Sequence, residues 1–397
     1  MRLFIFKSRL PDMINISYRF SSPQGDVVVD KGMLEKKFAV GPSETHPFLT
    51  LRDFFETLRR FLLPENGPGL PDILGRLWGR VVKAEEIEKV VIRYEKYGTL
   101  YQICSLDIYG AGTVVKMCAN VAFSASAKQT LKEEFELLSL LSEKGGLGYL
   151  PQAYKLGWID VGQSGSTEFW LVALLEWFYG FEEWHFKPYA GSTRAFLWDM
   201  RGGHRFLSET QTFEIVAQAS KVLTLYYDIE STRRITPWHH GAGDFIVRTS
   251  ETGVDLRLIT VRGYEPIQPS AEVNILEALG IFCLETLTKM RLDKWEGLGE
   301  STWADPFVLK ATLKGFFEAL KIKETRGEMK GLSAADILQA LQSLDVPQWR
   351  ALVRKQFIDN RGSDSSDYAA VLRHLDDHSS EIHEVIQYFG VDLICPE

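Results

Sequence analysis

Residues 236–248 read TPWHHGAGDFIVR. Two adjacent histidines, His239 and His240, lead through a glycine-rich turn to Asp244, which heads the apolar run FIV. An imidazole with a pKa near 6.5 is mostly neutral at pH 7 and can accept a hydroxyl proton, an effect worth about 10²–10⁴-fold in rate. A carboxylate is a good hard-oxygen ligand for magnesium. The histidine pair by itself is a weak metal signal, because sequence neighbours point in different directions and no third ligand is evident nearby. Cleft-lining or capping histidines are the structural alternative. A helical run, TFEIVAQASKVLTLYYDIE (212–230), precedes the stretch, and two apolar runs, DFIVR and VDLRLIT, follow it as a hairpin.

Outward from this point the chain changes character several times. Residues 14–20 alternate Ile14, Ile16, Tyr18 and Phe20 against polar neighbours, which is strand periodicity. LRDFFETLRRFLL then spaces Leu51, Phe54, Phe55, Leu58, Phe61 and Leu62 as a helix, and PENGPGLPD ends it. The first 85 residues are thus expected to form an accessory β/α module. From Glu88, three β-rich runs (EKVVIRYEKYG, LYQICSLDIYGAG, TVVKMCANV) precede a helix at 127–144, and two further strands lie within 149–179. Beyond Gly180 the expectation is mostly helix apart from the hairpin at 244–260, with helices near 271–291, 305–321, 333–343, 347–357 and 366–389.

Composition sets the outer limits. The 397 residues, 45% hydrophobic and 25% charged, suit a soluble protein of two lobes and an extension. A net charge of −8 argues against broad, sequence-independent nucleic-acid binding, which relies on clustered Lys and Arg. The four cysteines, Cys104, Cys118, Cys283 and Cys395, show no CxxC spacing, so reduced thiols are expected. The apolar run before Lys7 is too short for a signal-peptide core. The stretch 169–181 contains Glu176 and falls well under the roughly 18 residues that suggest a membrane span. A cytoplasmic protein without membrane or nucleic-acid partners is the expectation.

Three strands, a helix, two strands and then a helical half carrying the 236–248 loop form an order that resembles protein kinases and aminoglycoside-phosphotransferase-like proteins. The resemblance covers about residues 86–330. It implies an α+β, bilobal kinase-like fold: an N-lobe of antiparallel sheet with one helix (86–180), a mostly helical C-lobe with a catalytic-loop-like hairpin (181–397), and the accessory module (1–85). Phosphoryl transfer asks a protein mainly to position groups and neutralise charge. On the kinase template, Lys116 in TVVKM sits where a phosphate-contacting Lys is expected, with Glu134 as its helix partner and Glu133 as a competitor. A mid-strand Lys must pair or snorkel, since an unpaired buried ammonium costs several kcal/mol; a purely structural ion pair is the other reading. The phosphate loop departs from the pattern: YEKYGTLYQ offers only Gly98 among bulky Tyr97, Leu100 and Tyr101.

The loop HGDxxxxN of small-molecule phosphotransferases can be laid on this chain in two registers. One puts Asp244 at the metal-binding Asn position and His239 at the catalytic Asp, with Pro237 replacing the motif's own His. The other takes His240 and Gly241 as the HG pair and Asp244 as the base, leaving Thr249 at the Asn position. The DFG position reads LITVRG, with Thr260 for Asp, Val261 for Phe and Arg262 for Gly. Arg262 then either contacts an anionic ligand in a fork or binds Asp244. The hinge would be LLEWFYGFEEW, with Glu176–Phe178 beside an adenine-sized slot, or a cluster of packed aromatics instead. The resemblance therefore implies a kinase-like protein with degenerate motifs, a pseudokinase or binder of a small-molecule or protein ligand in an interlobe cleft. The alternative is an atypical phosphotransferase that uses ATP and Mg on a small hydroxyl compound. Its catalytic residues would be His239 and Asp244, its nucleotide-binding residues Lys116, Glu134, Glu176, Phe178 and Arg262, and its metal ligand Asp244.

Overall fold

The computed structural model describes residues 14–41, 44–98, 100–144, 146–161, 168–199, 202–240, 243–251, 253–267, 274–294, 299–359 and 365–390. The N-terminal stretch before Lys7, Gly241 and Cys395 lie outside them. Two compact units result, one from residues 1–143 and 151–179, the other from 144–150 and 180–397.

Unit one runs β1 (Asn15–Phe20), β2 (Val27–Val28), α1 (Lys31–Leu34), β3 (Lys37–Ala39), β4 (Thr45–Thr50), α2 (Leu51–Leu62), α3 (Leu70–Trp78), β5 (Ile87–Tyr97), β6 (Gln102–Gly110), β7 (Thr113–Ala122), α4 (Ala125–Ser142), β8 (Ala153–Asp160) and β9 (Phe169–Glu176). Thr50 caps α2, with Asp53 completing a reciprocal capping box. The apolar residues spaced at helical intervals in α2 are all buried. They meet Val90, Ile92, Leu106, Met117 and Ala119 from one face of a seven-stranded sheet ordered β2-β1-β5-β6-β7-β9-β8. On the other face Leu131 of α4 packs on Ala122, Leu171 and Ala173.

The strands within residues 86–180 pair antiparallel, as expected, and the first 85 residues add the exception. β1 lies parallel to β5, in register from Asn15–Lys89 to Phe20–Tyr94, so the sheet is mixed. The segment read as an accessory module supplies this strand and, through α2 and α3, most of one side of the sheet's core. Parallel neighbours need a long crossover, and the chain from β2 to α3 provides one.

Unit two continues with β10 (Glu182–Tyr189), β11 (Ser192–Trp198), β12 (Arg205–Phe206), α5 (Glu209–Tyr226), β13 (Arg233–Ile235), β14 (Phe245–Thr249), β15 (Val254–Leu258), β16 (Tyr264–Pro266), α6 (Ile275–Lys289), β17 (Leu292–Lys294), β18 (Ser301–Trp303), α7 (Phe307–Thr325), α8 (Ala334–Gln342), α9 (Val346–Arg354) and α10 (Ser365–Gln387). The expected helices are present. The expectation that the 244–260 hairpin is the exception in a mostly helical half is corrected: β10 and β11 join β12, β14 and β15 in a five-stranded antiparallel sheet. Their hairpin turns at Ala190 and Gly191, both at positive φ (49° and 82°), the geometry that matches the strands' own twist. Helices α5 and α7 cross closely at Gly315, where a Cβ would lie 1.8 Å from the Ala217 carbonyl oxygen. Among the described residues no helix is long and apolar enough to cross a membrane.

Candidate functional site

Strand β14 begins at Phe245 because FIV is wholly buried, which leaves Asp244 at the strand's mouth, 1% exposed. A close backbone approach shapes this end. The Thr236 N–H donates to the Gly263 carbonyl at 3.0 Å, and a Cβ on Gly263 would stand 2.3 Å from the Thr236 oxygen. Glycine is therefore required there, and the segment 260–263 is drawn against the loop.

That approach delivers Arg262 to Asp244. Its Nη1 donates to Oδ2 and its Nη2 to Oδ1, each at 2.6 Å, a two-pronged fork on both carboxylate oxygens. Thr260 Oγ1 donates to Oδ1 at 2.7 Å and the His239 N–H to Oδ2 at 2.8 Å. Four donors thus converge on one buried carboxylate. Of the two roles open to Arg262 in the sequence, the geometry selects the bond to Asp244. A magnesium ion at Asp244 would have to displace the guanidinium, and the residue at the DFG Asp position, Thr260, donates to Asp244 instead of offering a second carboxylate. Among the described residues no group of three His, Cys, Asp or Glu side chains is placed to hold a metal.

The two histidines diverge. The His239 ring nitrogen Nε2 lies 3.9 Å from Asp367 Oδ2 on α10. Burial alone would raise Asp367, but His239, Ser301 and Lys294, whose ammonium is 3.1 Å away, outweigh it and hold the carboxyl well below its ordinary range. His240 is fully buried, stacked on Trp184 with ring centroids 4.9 Å apart and planes 3° from parallel. Its Nε2 donates to the Met290 carbonyl at 3.2 Å, and its Nδ1 lies 3.8 Å from Asp293 Oδ2. Burial pushes its pKa down to about 4 against the pull of Asp293. His185 Nδ1 approaches the same carboxylate at 3.3 Å, and the Phe186 and Lys294 N–H groups donate to it. Burial opposes ionisation of Asp293, yet His240, His185 and Phe186 keep its pKa lowered. In the register that takes His240 and Gly241 as the HG pair, the His240 ring is part of the packing under the loop.

In unit one Lys116 does not pair with Glu134. Asp107 stands directly opposite it in the β6–β7 register and takes the ammonium at 2.5 Å. The Tyr179 ring lies 4.6 Å from the same nitrogen. Arg93, buried in β5, binds Asp107 at 3.1 Å, Asp26 at 2.8 Å and Ser105 Oγ at 2.9 Å. Burial raises Asp107, but Lys116 and Arg93 reverse this and lower it. Glu134 is buried and accepts from the Tyr101 hydroxyl at 3.2 Å. Glu176 ends β9, its carboxylate accepting the Gln152 N–H at 3.2 Å, and Phe178 follows it half-buried. Sequence reading missed Arg93, Asp107, Asp293 and Asp367. The one available signal was a pair of opposite charges, Arg93 and Asp107, each flanked by apolar residues in its strand (VVIRY and SLDIY).

No protein-family model and no curated protein sequence matches this chain. Among solved structures, a crystal structure described as a kinase domain aligns over 75% of this chain and 91% of that one, at 8% identity and a TM-score of 0.26. At that score the likeness carries no weight for fold or function.

Proposed function

We propose that this chain is a kinase-like protein whose 236–248 loop has given up phosphoryl transfer, a pseudokinase that acts by binding. The observation that carries the reading is the closure of Asp244 by Arg262. A carboxylate whose oxygens already accept four donors has no lone pair facing outward for a metal, and extracting it would leave a charge buried without compensation. Three further facts support the reading. The sequence order of strands and helices follows the kinase pattern. Lys116 is neutralised by Asp107 on the neighbouring strand. His240 is neutral and fully buried.

The alternative, an atypical ATP- and Mg-dependent phosphotransferase, finds support in one place. His239 is about one-fifth exposed and faces the ionised Asp367, an arrangement that can orient an imidazole as a base. A thermal-shift titration separates the two readings. A ligand that binds the native state must raise its apparent stability. The binding reading expects ATP with magnesium to give no more stabilisation than ATP alone. Magnesium-dependent stabilisation that disappears in Asp244→Ala, together with transfer of labelled γ-phosphate to a small alcohol, would replace it with the enzyme.

A further inference from the structure

Strand β8 is the outermost strand of the seven-stranded sheet and, among the described residues, bonds to β9 alone. One hydrogen bond fixes which of its backbone groups face outward. The Val161 N–H donates to the Glu168 carbonyl at 2.8 Å, and bonded pairs recur at every second residue of an antiparallel ladder. Ile159–Trp170, Gly157–Val172 and Lys155–Leu174 are then the bonded pairs. Leu156, Trp158 and Asp160 turn their N–H and C=O groups away from β9. Two guanidiniums agree with this phase: Arg60 donates to the Asp160 carbonyl at 2.9 Å and Arg76 to the Tyr154 carbonyl at 3.1 Å. Between these two caps, the outward groups of Leu156 and Trp158 meet no strand among the described residues. The Trp158 side chain beside them is 59% exposed.

Cations outnumber acids along this edge, although Asp160 of the strand itself is exposed there. Arg60, Arg76 and Lys155 give their hydrogen bonds to neutral oxygens (Thr57 Oγ1 and the carbonyls of Asp160, Tyr154, Phe61 and Pro68), and none pairs with a carboxylate among the described residues. Asp72, the acid of α3, accepts the Gly69 N–H and also attracts the Lys155 ammonium without a direct ion pair. An open pocket of about 710 Å³ adjoins the start of the strand, lined by Asp72, Arg76, Arg80 (paired with Glu86), Tyr154, Lys155 and Leu156.

We propose that the β8 edge accepts an extended, acidic segment of a partner protein as an added strand. The backbone of Leu156 and Trp158 would supply the ladder bonds, and Arg60 and Arg76 would meet carboxylates flanking the paired residues. The two capped carbonyls are six residues apart with a bulge at Tyr154, about 17–20 Å along a strand, which sets the spacing of those carboxylates. Charges along an edge can also serve merely to repel other strands, and the experiment separates the two roles.

Fluorescence anisotropy of the full chain is measured with three labelled peptides: one alternating glutamate with valine and threonine, its lysine counterpart, and the glutamate peptide with N-methylated backbone. The acidic peptide is expected to bind at least ten-fold more tightly than the lysine peptide, and the N-methylated one not at all. Trp158→Pro removes an outward N–H that no ladder bond uses, so the fold is retained while binding falls at least ten-fold. Arg60→Glu with Arg76→Glu leaves the ladder untouched and should abolish the preference for acid, which decides the matter should Trp158→Pro fail to fold. No binding by the parent chain, equal affinity for both charges, or full binding by folded Trp158→Pro overturns the proposal. So does a self-associated parent that becomes monomeric in Trp158→Pro by sedimentation, which would assign the edge to a second copy.

Discussion

Replacing Arg262 by alanine tests whether Asp244 is a structural anchor or an available ligand. The substitution removes two of the four donors on a carboxylate that is 1% exposed, leaving the Thr260 hydroxyl and the His239 N–H. Breaking a buried ion pair from one side costs about 3–5 kcal/mol. The Arg262 side chain is 33% exposed, so water can reach the vacated side, and the expected loss falls to about 2–3 kcal/mol. For a unit of this size each kcal/mol moves Tm by roughly 2–4 °C, giving a drop of about 5–10 °C in the transition of unit two by calorimetry. Asp244→Asn should cost less, about 1 kcal/mol, because the stranded guanidinium can hydrate. The double variant should lose less than the sum of the two single losses, with a coupling of at least about 1 kcal/mol. Emptying the fork also frees carboxylate oxygens, so millimolar magnesium is expected to stabilise Arg262→Ala but not the parent. If Arg262→Ala matches the parent within about 0.5 kcal/mol, or if magnesium stabilises the parent through Asp244, the anchor argument is wrong.

Other outcomes follow from the same geometry. Gly315→Ala drives a Cβ to 1.8 Å from the Ala217 carbonyl and must force α5 and α7 apart; a loss of about 3 kcal/mol or more is expected by urea unfolding, well beyond the small gain in helix propensity. Gly263→Ala acts similarly at the Thr236 carbonyl, and its soluble yield should fall with its stability. His240 has a native pKa of about 4 against about 6.5 unfolded, so between those values the unfolded chain binds more protons. Stability should therefore decline as pH falls from about 6.5 to about 4, by roughly 2–4 kcal/mol, and His240→Gln should flatten that part of the profile. Lys116→Met leaves Asp107 with Arg93, so its cost should be about 1 kcal/mol, and the binding reading expects any ATP affinity to be unchanged.

Much of the helical architecture was legible because its pattern is local: α2 and α4 show apolar residues on one stripe, while α5, α6 and α7 are long apolar runs buried nearly all round. Strands β10 and β11 were not. Trp184, His185 and Phe186 are buried in succession, so the two-residue alternation that marks a strand is absent there. His185 joins the interior only because Asp293, more than a hundred residues later, waits for it. The alternation of β1 was readable, but its parallel pairing with β5 was not, since a strand's pattern specifies which face is buried and not which neighbour it takes. The same limit governs the charged groups: the Thr236–Gly263 approach decides Arg262's partner, and strand register gives Lys116 neither of the two glutamates the sequence offered but Asp107.

The charged residues set in apolar strands share one property that a linear reading cannot supply. Arg93, Asp107 and Lys116 balance one another with Asp26, Asp244 is balanced by Arg262, and Asp293 sits between two histidines. Each looks in sequence like a group awaiting a ligand, because desolvation makes an isolated charge in such a strand untenable. Each proves to have been supplied with its partner by the fold. A ligand site needs the opposite condition, charge that the fold leaves over and water can reach. By that criterion the loop with the most suggestive residues is the more closed of the two places, and the cation-lined edge of β8, whose residues drew no notice in the sequence, is the more open one.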